Sequence, residues 1–360
     1  MAVIRLDVTH AGGSYPVLIG AALTRRVGQV LAEQRLIANT VIVSCPPVWR
    51  LHGGRMKGVL GGQQPLIMPD GEKAKHLATV ARLYDGMCDR RIDRSALVIG
   101  LGGGVVGDTA GFAAATYLRG LRLVHIPTTL LSQADSAIGG KVGVNLPSGK
   151  NLVGAFHAPS LVICDPELLD TLPRREFRAG LYEAVKYGVI GSRPLFDYIS
   201  DHLPAIFNKD PEVLTPLIAD CCRMKAMVVM ADEREQGLRR TLNFGHTVGH
   251  ALEAISKYRL FRHGEAVGYG MLAAAALSVK RGIFPAEDME ALTSLIARMG
   301  PLPSTAGLSA SDALDAMRSD KKVSKGTLHF VLPVRLGATS VVSDVTTKEL
   351  RAALRTIGIR

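Results

Sequence analysis

The chain has 360 residues, of which 47% are hydrophobic and 21% are charged. This composition excludes a disordered chain and is typical of a folded protein large enough for two domains. The formal net charge of +11 indicates an anionic partner or substrate, yet lysine and arginine are scattered and aromatic residues make up only 5%. We therefore expect a pocket for a small anion and no nucleic-acid partner.

The cysteine pattern and the apolar segments indicate the cellular compartment. Five cysteines, an odd number without the spacing of a disulfide framework, favour reducing surroundings. Residues 1–10 alternate like a strand and lack the apolar core of a secretion signal. The most apolar segment, 269–279, is too short to span a bilayer and is interpreted as a buried helix. A cytoplasmic protein without a membrane partner is expected.

The first 165 residues alternate between strand-like and helical segments. Strands are predicted at 4–8, 16–19, 41–44, 66–68, 97–100 and 123–126, and helices at 24–34, 75–89 and 109–117. Such alternation is typical of a mostly parallel sheet. The first two strands, with GGSYP between them, fit an antiparallel hairpin.

The second half of the chain has a different pattern. Residues 167–319 are nearly all compatible with helix, with breaks at prolines and at the loop 259–263. Residues 327–334 and 339–344 are predicted as a hairpin, followed by a last helix from Thr347. We predict an α/β N-terminal domain, residues 1–172, and an α-helical C-terminal domain, residues 173–360.

A glycine-rich turn follows the strand at 97–100. Gly102, Gly104 and Gly107 satisfy GxGxxG between a strand and a helix of small residues, and the helix N-terminus can hold a pyrophosphate. About 20 residues further on, where an acidic ribose ligand is expected, the chain has HIPTTLL instead. The sequence thus predicts a phosphate-binding turn in a Rossmann-like sheet, with an incomplete fingerprint. Close packing by small residues is the alternative, and it explains one or two glycines better than five.

A second glycine-rich stretch, PTTLLSQADSAIGGKVGVN, follows the strand at 123–126. It carries Thr128, Thr129, Asp135 and Lys141, and the pair Lys150 and Asn151 comes shortly after it. Backbone donors and ammonium groups brought together by such a loop are what an anionic ligand needs.

Three histidines are concentrated between residues 243 and 265. His246 and His250 are four residues apart, so they lie on one face if 241–255 is helical, and His263 is placed at the start of the next helix. A lone pair of this kind is more often a surface or core feature than a metal site, but the third histidine favours a functional role.

Charged residues elsewhere complete a candidate site. Glu183 and Lys186 are three apart on an apolar helix, as either a helix-face ion pair or a metal ligand and a substrate contact. Glu183 with two of the three histidines would form a metal site with coordination left open for substrate. Spacing does not decide which two. Lys225 and Arg239 could face the same cavity, and Glu235 lies in the polar stretch between them.

Nine ordered blocks carry a family resemblance. They are DGEKAK (70–75), GGGVVGD (102–108), GFAAATYLRG (111–120), PTTLLSQADSAIGGK (127–141), GKNLVGAF (149–156), YEAVKYG (182–188), LNFGHTVGHALE (242–253), HGEAV (263–267) and DKK (320–322). In these blocks, from end to end, the sequence resembles the 3-dehydroquinate synthase family. One departure is visible: after the strand at 41–44, where relatives often have Asp or Asn against the adenosine ribose, this chain has Cys45, Pro46 and Pro47.

The resemblance implies a division of labour among these residues. Zinc or cobalt is bound by Glu183, His246 and His263, and catalytic roles fall to His250, Glu235, Lys186 and Asn243. NAD contacts Asp70, Gly71, Glu72, Lys75, Gly104, Val105, Val106, Gly107, Asp108, Thr128, Thr129, Lys141, Lys150, Leu168, Leu169, Asp170 and Thr171. The substrate contacts Arg119, Asp135, Lys141, Lys150, Asn151, Lys186, Lys225, Arg239, Asn243, His250 and the Lys321/Lys322 pair.

The implied reaction converts 3-deoxy-D-arabino-heptulosonate 7-phosphate to 3-dehydroquinate and phosphate, in the shikimate pathway. A hydroxyl is oxidised by NAD, phosphate is eliminated, the hydride returns, and an aldol step closes the ring, so NAD is recycled. A homo-oligomer, as a dimer, is expected. The alternatives are a sister sugar-phosphate cyclase, a metal-dependent alcohol dehydrogenase of the glycerol dehydrogenase type, and a basic nucleic-acid-binding or scaffold protein with a degenerate site.

Overall fold

The computed structural model describes residues 3–232, 237–318, 323–324 and 327–360. The chain divides into two compact units, one of Met1–Pro173 with Asn208–Ala226 and one of Arg174–Phe207 with Met227–Arg360. Residues 208–226, although part of the helix-rich second half of the sequence, thus belong to the first unit.

The first unit contains a seven-stranded sheet in the order β1-β2-β9-β6-β5-β3-β4. Its strands are β1 (Ile4–His10), β2 (Gly13–Ile19), β3 (Thr40–Ser44), β4 (Leu66–Ile67), β5 (Leu97–Gly102), β6 (Arg122–Pro127) and β9 (Leu161–Cys164). All neighbouring pairs are parallel except β1 with β2, which form an antiparallel hairpin. The six predicted strands and the mostly parallel sheet are confirmed, and β9 was not predicted.

The central strands are apolar on both faces because helices cover both sides of the sheet. Alternate residues point to opposite faces, so Val41 and Val98 pack in one buried cluster while Ile42 and Ile99 pack in another. The helices of this unit are α1 (Val27–Glu33), α2 (Pro46–His52), α3 (Leu77–Asp89) and α4 (Gly104–Thr116), with most of α8 (Pro211–Ala231). The three predicted helices of this half correspond to α1, α3 and α4.

The stretch 127–156 has more regular structure than the predicted glycine-rich loop. Ser132–Ser136 forms a wide helical turn, and an antiparallel hairpin follows, made of β7 (Lys141–Leu146) and β8 (Gly149–Phe156). Gly143 and Gly154 oppose each other in this hairpin so closely that a Cβ on either would lie within 2.5 Å of a backbone oxygen. These glycines therefore serve strand pairing, which is why their density was mistaken for a loop signal.

The second unit is mainly helical. Its helices are α5 (Arg174–Gly191), α6 (Arg193–Asp201), α7 (Leu203–Phe207), α9 (His246–Ile255), α10 (His263–Lys280), α11 (Ala286–Arg298), α12 (Ala310–Arg318) and α13 (Thr347–Thr356). The predicted late hairpin is confirmed as β12 (Phe330–Arg335) paired with β13 (Ala338–Val342), preceded by the short pair β10 (Val323–Ser324) and β11 (Thr327–Leu328). Helix α10 lies at the centre, against α5, α9, α11, α13 and β12.

The predicted helix over 241–255 is wrong at its beginning. Residues Leu238–Asn243 form a 3-10 turn, and α9 begins only at His246, after Gly245 with a left-handed φ of 77°. The backbone of α10 causes this break. A Cβ on Gly270 would lie 1.8 Å from the carbonyl oxygen of Gly245, so the two chain segments are in direct contact there. His246 is consequently the first residue of its helix.

Gly264 sets the distance between α10 and α5. A Cβ at this position would lie 1.9 Å from the backbone oxygen of Ala179, an atom that cannot rotate away. Gly264→Ala is therefore expected to lower the free energy of unfolding by about 1–3 kcal/mol or more through overpacking, measured by urea denaturation of metal-free protein. Gly28→Ala is the matched control, because its Cβ on α1 would meet only Val59 at 3.8 Å, and a slight stabilisation of about 0.5–1 kcal/mol is expected there. Equal stability of the two variants would contradict this packing.

Candidate active site

Three elements of the helical unit bring one carboxylate and two imidazoles together. Glu183 lies on α5, His246 begins α9 and His263 begins α10. One ligand atom from each lies within 4.8 Å of the other two. The Nε2 atoms of both histidines lie 3.6 Å from Oε1 of Glu183. Three ligand-type side chains that converge in this way could hold a metal ion.

The second ring nitrogen of each histidine has its own partner. Nδ1 of His246 lies 3.1 Å from the carbonyl oxygen of Phe244, and Nδ1 of His263 lies 3.0 Å from Oε2 of Glu253. Both partners are acceptors, so Nδ1 carries the proton and donates in each ring. The Nε2 lone pairs are thereby directed towards Glu183. The tautomer with its proton on Nδ1 is the one that metal ligation through Nε2 requires.

Glu183 itself fits a cation. Its side chain is completely buried, and neither carboxylate oxygen accepts a hydrogen bond of regular geometry within the described parts of the chain. The ammonium of Lys186 lies 2.5 Å from Oε2 as an ion-pair partner. A buried carboxylate is costly unless its charge is compensated. Lys186 compensates it at Oε2, and a metal ion would add to it at Oε1, the oxygen that both imidazoles face. A Glu-His-His donor set suits Zn²⁺ or Co²⁺.

His250 lies one helical turn beyond His246. Its ring centroid is 5.5 Å from that of His246 and 5.9 Å from that of His263. With Glu253 and His263 it forms a second group whose ligand atoms lie within 4.8 Å of one another. The two groups share His263, and in the Glu183 group two imidazole Nε2 atoms converge on one carboxylate oxygen.

Two further buried cations belong to this unit. Lys186 is 1% exposed and Arg239 is 2% exposed. Asn243 ends the 3-10 turn that also carries Arg239, three residues before His246. These predicted site residues thus lie on, or directly before, the helices that carry Glu183 and His246. The remaining predicted residues of this half, Glu235, Lys321 and Lys322, lie outside the described residues.

A buried carboxylate also fixes the start of α10. Burial by itself would raise the pKa of Glu265, but hydrogen bonds from Arg175, from the Arg262 backbone N–H and from Arg178 hold it below its usual range. Glu265 is fully buried and anchors the residue before His263 through that backbone N–H, at 2.8 Å. The carboxylate therefore remains ionised and holds the turn from which His263 projects.

The predicted strand-turn-helix context of the glycine motif is confirmed in the α/β unit. β5 ends at Gly102 and α4 begins at Gly104, so the first turn of α4 presents backbone N–H groups at the end of the sheet. A small cavity lies against this turn, lined by Gly100, Gly102, Gly103, Gly104, Gly107, Asp108, His125, Pro127, Ser132, Ser136 and Ala137. Val105 is partly buried and Val106 is buried in the core.

Sequence reasoning missed His125 in this cavity. It is 5% exposed, and its Nδ1 has no hydrogen-bond partner among the described residues. Burial, with a smaller effect of His157, lowers the pKa of His125 to about 4, so the imidazole is neutral at pH 7. Its position in the apolar strand β6 was the available signal. In the sequence, this position was interpreted only as lacking an acidic ribose ligand.

A polar network links the predicted nucleotide residues to the β7–β8 hairpin. The buried ammonium of Lys75 donates to Oδ2 of Asp108 and to Oδ1 of Asn151, each at 2.5 Å. The Asn151 backbone N–H donates to Oδ1 of Asn145 at 2.8 Å, and Asn145 donates to Oε1 of Glu72 at 2.7 Å. Asn145, which the sequence analysis did not single out, thus connects residues assigned to NAD with one assigned to substrate.

Other predicted nucleotide contacts have restricted roles. Leu168 and Leu169 are completely buried, so only their backbone could reach a ligand. Thr171 Oγ1 lies 2.9 Å from His52 Nε2, and Lys209 donates to the Asp170 carbonyl at 2.9 Å. These bonds hold Asp170 and Thr171 in place directly after the 3-10 helix Pro166–Leu169, which carries the two leucines.

The remaining predicted contacts of this unit lie in turns, in the β7–β8 hairpin and on α8. Thr128 is buried and Thr129 bonds to Ser132, with 2.7 Å between the hydroxyl oxygens. Asp135 forms an ion pair with Lys225 of α8. The other members are Asp70 and Gly71 before a 3-10 turn, Lys141 and Lys150 at the starts of β7 and β8, and exposed Arg119 in a left-handed conformation.

Cys45 takes the place where an acid or amide was expected after β3. It is 2% exposed, and burial together with nearby Asp70 raises the pKa of its thiol to about 11. Pro46 begins α2 directly after it. The residue is therefore a neutral, buried group, and the first turn of α2 lacks the usual side-chain cap.

Three solved structures are compared with this chain, and all three share its fold. 2-epi-5-epi-valiolone synthase from Streptomyces hygroscopicus subsp. jinggangensis 5008, with NAD⁺ and Zn²⁺ bound, is 28% identical, with a TM-score of 0.86 and 99% of each chain covered. 2-deoxy-scyllo-inosose synthase complexed with carbaglucose-6-phosphate, NAD⁺ and Co²⁺ is 25% identical, with a TM-score of 0.87, covering 98% of this chain and 100% of that one. Glycerol dehydrogenase from Schizosaccharomyces pombe, at 16% identity and a TM-score of 0.65, covering 95% and 88%, shares the fold alone.

Sequence comparisons show the family to which this chain belongs. A profile described as 3-dehydroquinate synthase N-terminal matches residues 65–179, and one described as 3-dehydroquinate synthase C-terminal matches residues 180–323. The curated 3-dehydroquinate synthase of Solibacter usitatus is 48% identical, covering 95% of this chain and 96% of the relative. That of Nostoc punctiforme is 43% identical, covering 97% and 98%. The chain belongs to the 3-dehydroquinate synthase family.

Proposed function

We propose that the chain converts 3-deoxy-D-arabino-heptulosonate 7-phosphate to 3-dehydroquinate and phosphate, as a lyase that depends on a divalent metal and on recycled NAD. The observation that carries this proposal is the convergence of Glu183, His246 and His263 in a chain of this family. The excess of positive charge suits a substrate with both a carboxylate and a phosphate.

In the helical unit we assign Glu183, His246 and His263 as metal ligands. A Zn²⁺ or Co²⁺ ion bound there would polarise a substrate hydroxyl and lower its pKa. We assign proton exchange with substrate to His250, whose ring neighbours both imidazole ligands. Lys186 and Arg239 are buried cations that would pair with a substrate anion, and Asn243 would orient it. Glu235 is assigned as a proton acceptor, and Lys321 or Lys322 as a further anion contact.

In the α/β unit we assign the glycine-rich turn and the first turn of α4 to the NAD pyrophosphate. The fit is supported by the small lining residues of the cavity, where a Cβ on Gly104 would come within 3.2 Å of Ser136 Oγ. This turn would hold the dinucleotide, which would supply a hydride acceptor that is regenerated within one turnover. Glu72 accepts a hydrogen bond from Asn145, and Asp108 accepts one from Lys75, so both carboxylates are held by side chains of this unit.

The state of the cysteines bears on the compartment. All five cysteines are free, four of them buried, as suits a reducing cytoplasm. In the described parts of the chain no helix has the length and apolarity to cross a bilayer. We propose a cytoplasmic homodimer, which light scattering of the purified protein would test.

The deciding experiment supplies the heptulosonate phosphate with NAD at a small fraction of the substrate concentration. Many phosphates released per NAD are expected, together with 3-dehydroquinate, because the hydride returns within each turnover. The same protein treated with a chelator is the control and should release none. Accumulation of NADH in proportion to product would favour the alcohol dehydrogenase alternative. Turnover only with another phosphorylated sugar would favour a sister cyclase.

A further inference from the structure

Glu253 occupies a place that helix stability does not explain. It lies in the last turn of α9, where the helix dipole disfavours a carboxylate. It is also only 5% exposed, and burial of a carboxylate is costly unless a specific partner compensates for it. The position therefore indicates a specific interaction.

The interaction is with His263. Oε2 of Glu253 lies 3.0 Å from Nδ1 of His263, ten residues along the chain across the α9–α10 loop. The carboxylate accepts from Nδ1–H, which leaves the Nε2 lone pair directed at Glu183, 3.6 Å away. The bond thus selects the tautomer and the orientation of the ring at once.

The two imidazoles differ in how firmly packing holds them. The side chain of His246 is 11% exposed and is oriented by the carbonyl of Phe244, two residues before it. The side chain of His263 is 32% exposed, so packing restricts its ring less. A stronger, charge-assisted hydrogen bond is therefore needed at His263 for the same precision.

We propose that Glu253 is a positioning residue of the metal site: by accepting the Nδ1–H bond of His263 it presets that ligand and raises the affinity of the Glu183–His246–His263 site for a divalent metal. The inference rests on the proposed function, because it takes these three residues as ligands. Removal of a partner of this kind weakens metal binding by about 10- to 100-fold.

The neighbouring group His250–Glu253–His263 offers the opposing assignment, in which Glu253 binds metal directly. The two assignments differ in their ligands. If Glu253 positions His263, one metal remains bound without it and His250 is dispensable for binding. If Glu253 is a ligand, its loss and the loss of His250 both abolish binding, while Glu183 is dispensable.

The test titrates metal-free full-length protein with Zn²⁺ against a chromophoric chelator. Glu253→Ala is expected to keep one site with a dissociation constant raised about 10- to 100-fold. Glu253→Gln should lie nearer the wild type, because its amide oxygen can still accept from Nδ1–H. Asp288→Asn is the matched control: it changes another buried carboxylate of the same unit, bonded to Arg193 and to the Leu336 backbone, and should leave the constant unchanged.

Nitrogen NMR of ¹⁵N-histidine-labelled metal-free protein provides a readout that a merely structural role would not move. His263 should hold its proton on Nδ1 in the wild type and shift towards Nε2–H or a mixture in Glu253→Ala. An unchanged tautomer, an unchanged dissociation constant, or equal weakening by Ala and Gln would overturn the inference. So would loss of binding in both Glu253→Ala and His250→Ala with binding retained in Glu183→Ala. A wild-type protein that binds no metal would instead overturn the proposed function.

Discussion

Replacing His246 with alanine is expected to abolish both stoichiometric metal and turnover. The change removes one of two imidazole ligands, and the remaining Glu183 and His263 cannot hold a divalent ion against competing water. Loss of the ion removes several kcal/mol of transition-state stabilisation, so kcat should fall by about 10³-fold or more. Elemental analysis of purified protein and phosphate release from the heptulosonate phosphate measure the two quantities independently.

His250→Ala is the matched comparison for this variant. It removes an imidazole from the same helix, one turn further on and 5.5 Å away between ring centroids. We expect metal content to stay near that of the wild type while turnover is lost, because His250 is assigned to proton transfer. If His246→Ala retained both metal and activity, the ligand set would be wrong, and if His250→Ala lost metal, the second histidine group would be the site.

Local patterns in the sequence were enough to predict much of the histidine region. The four-residue spacing predicted that His246 and His250 share a face, and His263 is indeed the first residue of α10. Which histidines stand beside Glu183 depends on how α5, α9 and α10 pack. That is set by close backbone contacts such as Gly264 against Ala179. Spacing along the chain carries no such information, so the choice came only from the family resemblance.

Much of the fold of the α/β unit was also predictable from local patterns in the sequence. Its central strands β3, β5 and β6 are buried on both faces, so they appear in the sequence as short apolar runs and were found. The β7–β8 hairpin was not found, because most of its strand residues are glycine, polar or exposed. The contributions of Asn145 and Glu253 were hidden for a further reason. Each acts on another side chain, and polar residues in such roles have no spacing of their own.

Lys75→Met is expected to destabilise the α/β unit strongly, because it leaves Asp108 without its cation. The Lys75 side chain is 5% exposed and its ammonium lies 2.5 Å from Asp108, whose side chain is 24% exposed. Breaking a buried pair costs about 3–5 kcal/mol, and the partial exposure of Asp108 favours the lower end, about 3 kcal/mol. The urea midpoint of the metal-free protein measures the loss, with Lys57→Met, at an exposed lysine of the same unit, as the unchanged control.

The double variant Lys75→Met with Asp108→Asn separates the cost of an unpaired charge from the worth of the pair. Replacing both partners removes the uncompensated carboxylate, so most of the lost stability should return. NAD affinity should not return with it, because Asp108 and the hairpin residue Asn151 are both positioned by the Lys75 ammonium. Calorimetric titration with NAD therefore distinguishes a stabilising ion pair from one that also shapes the nucleotide site. Recovery of both stability and affinity would mean that the network serves folding alone.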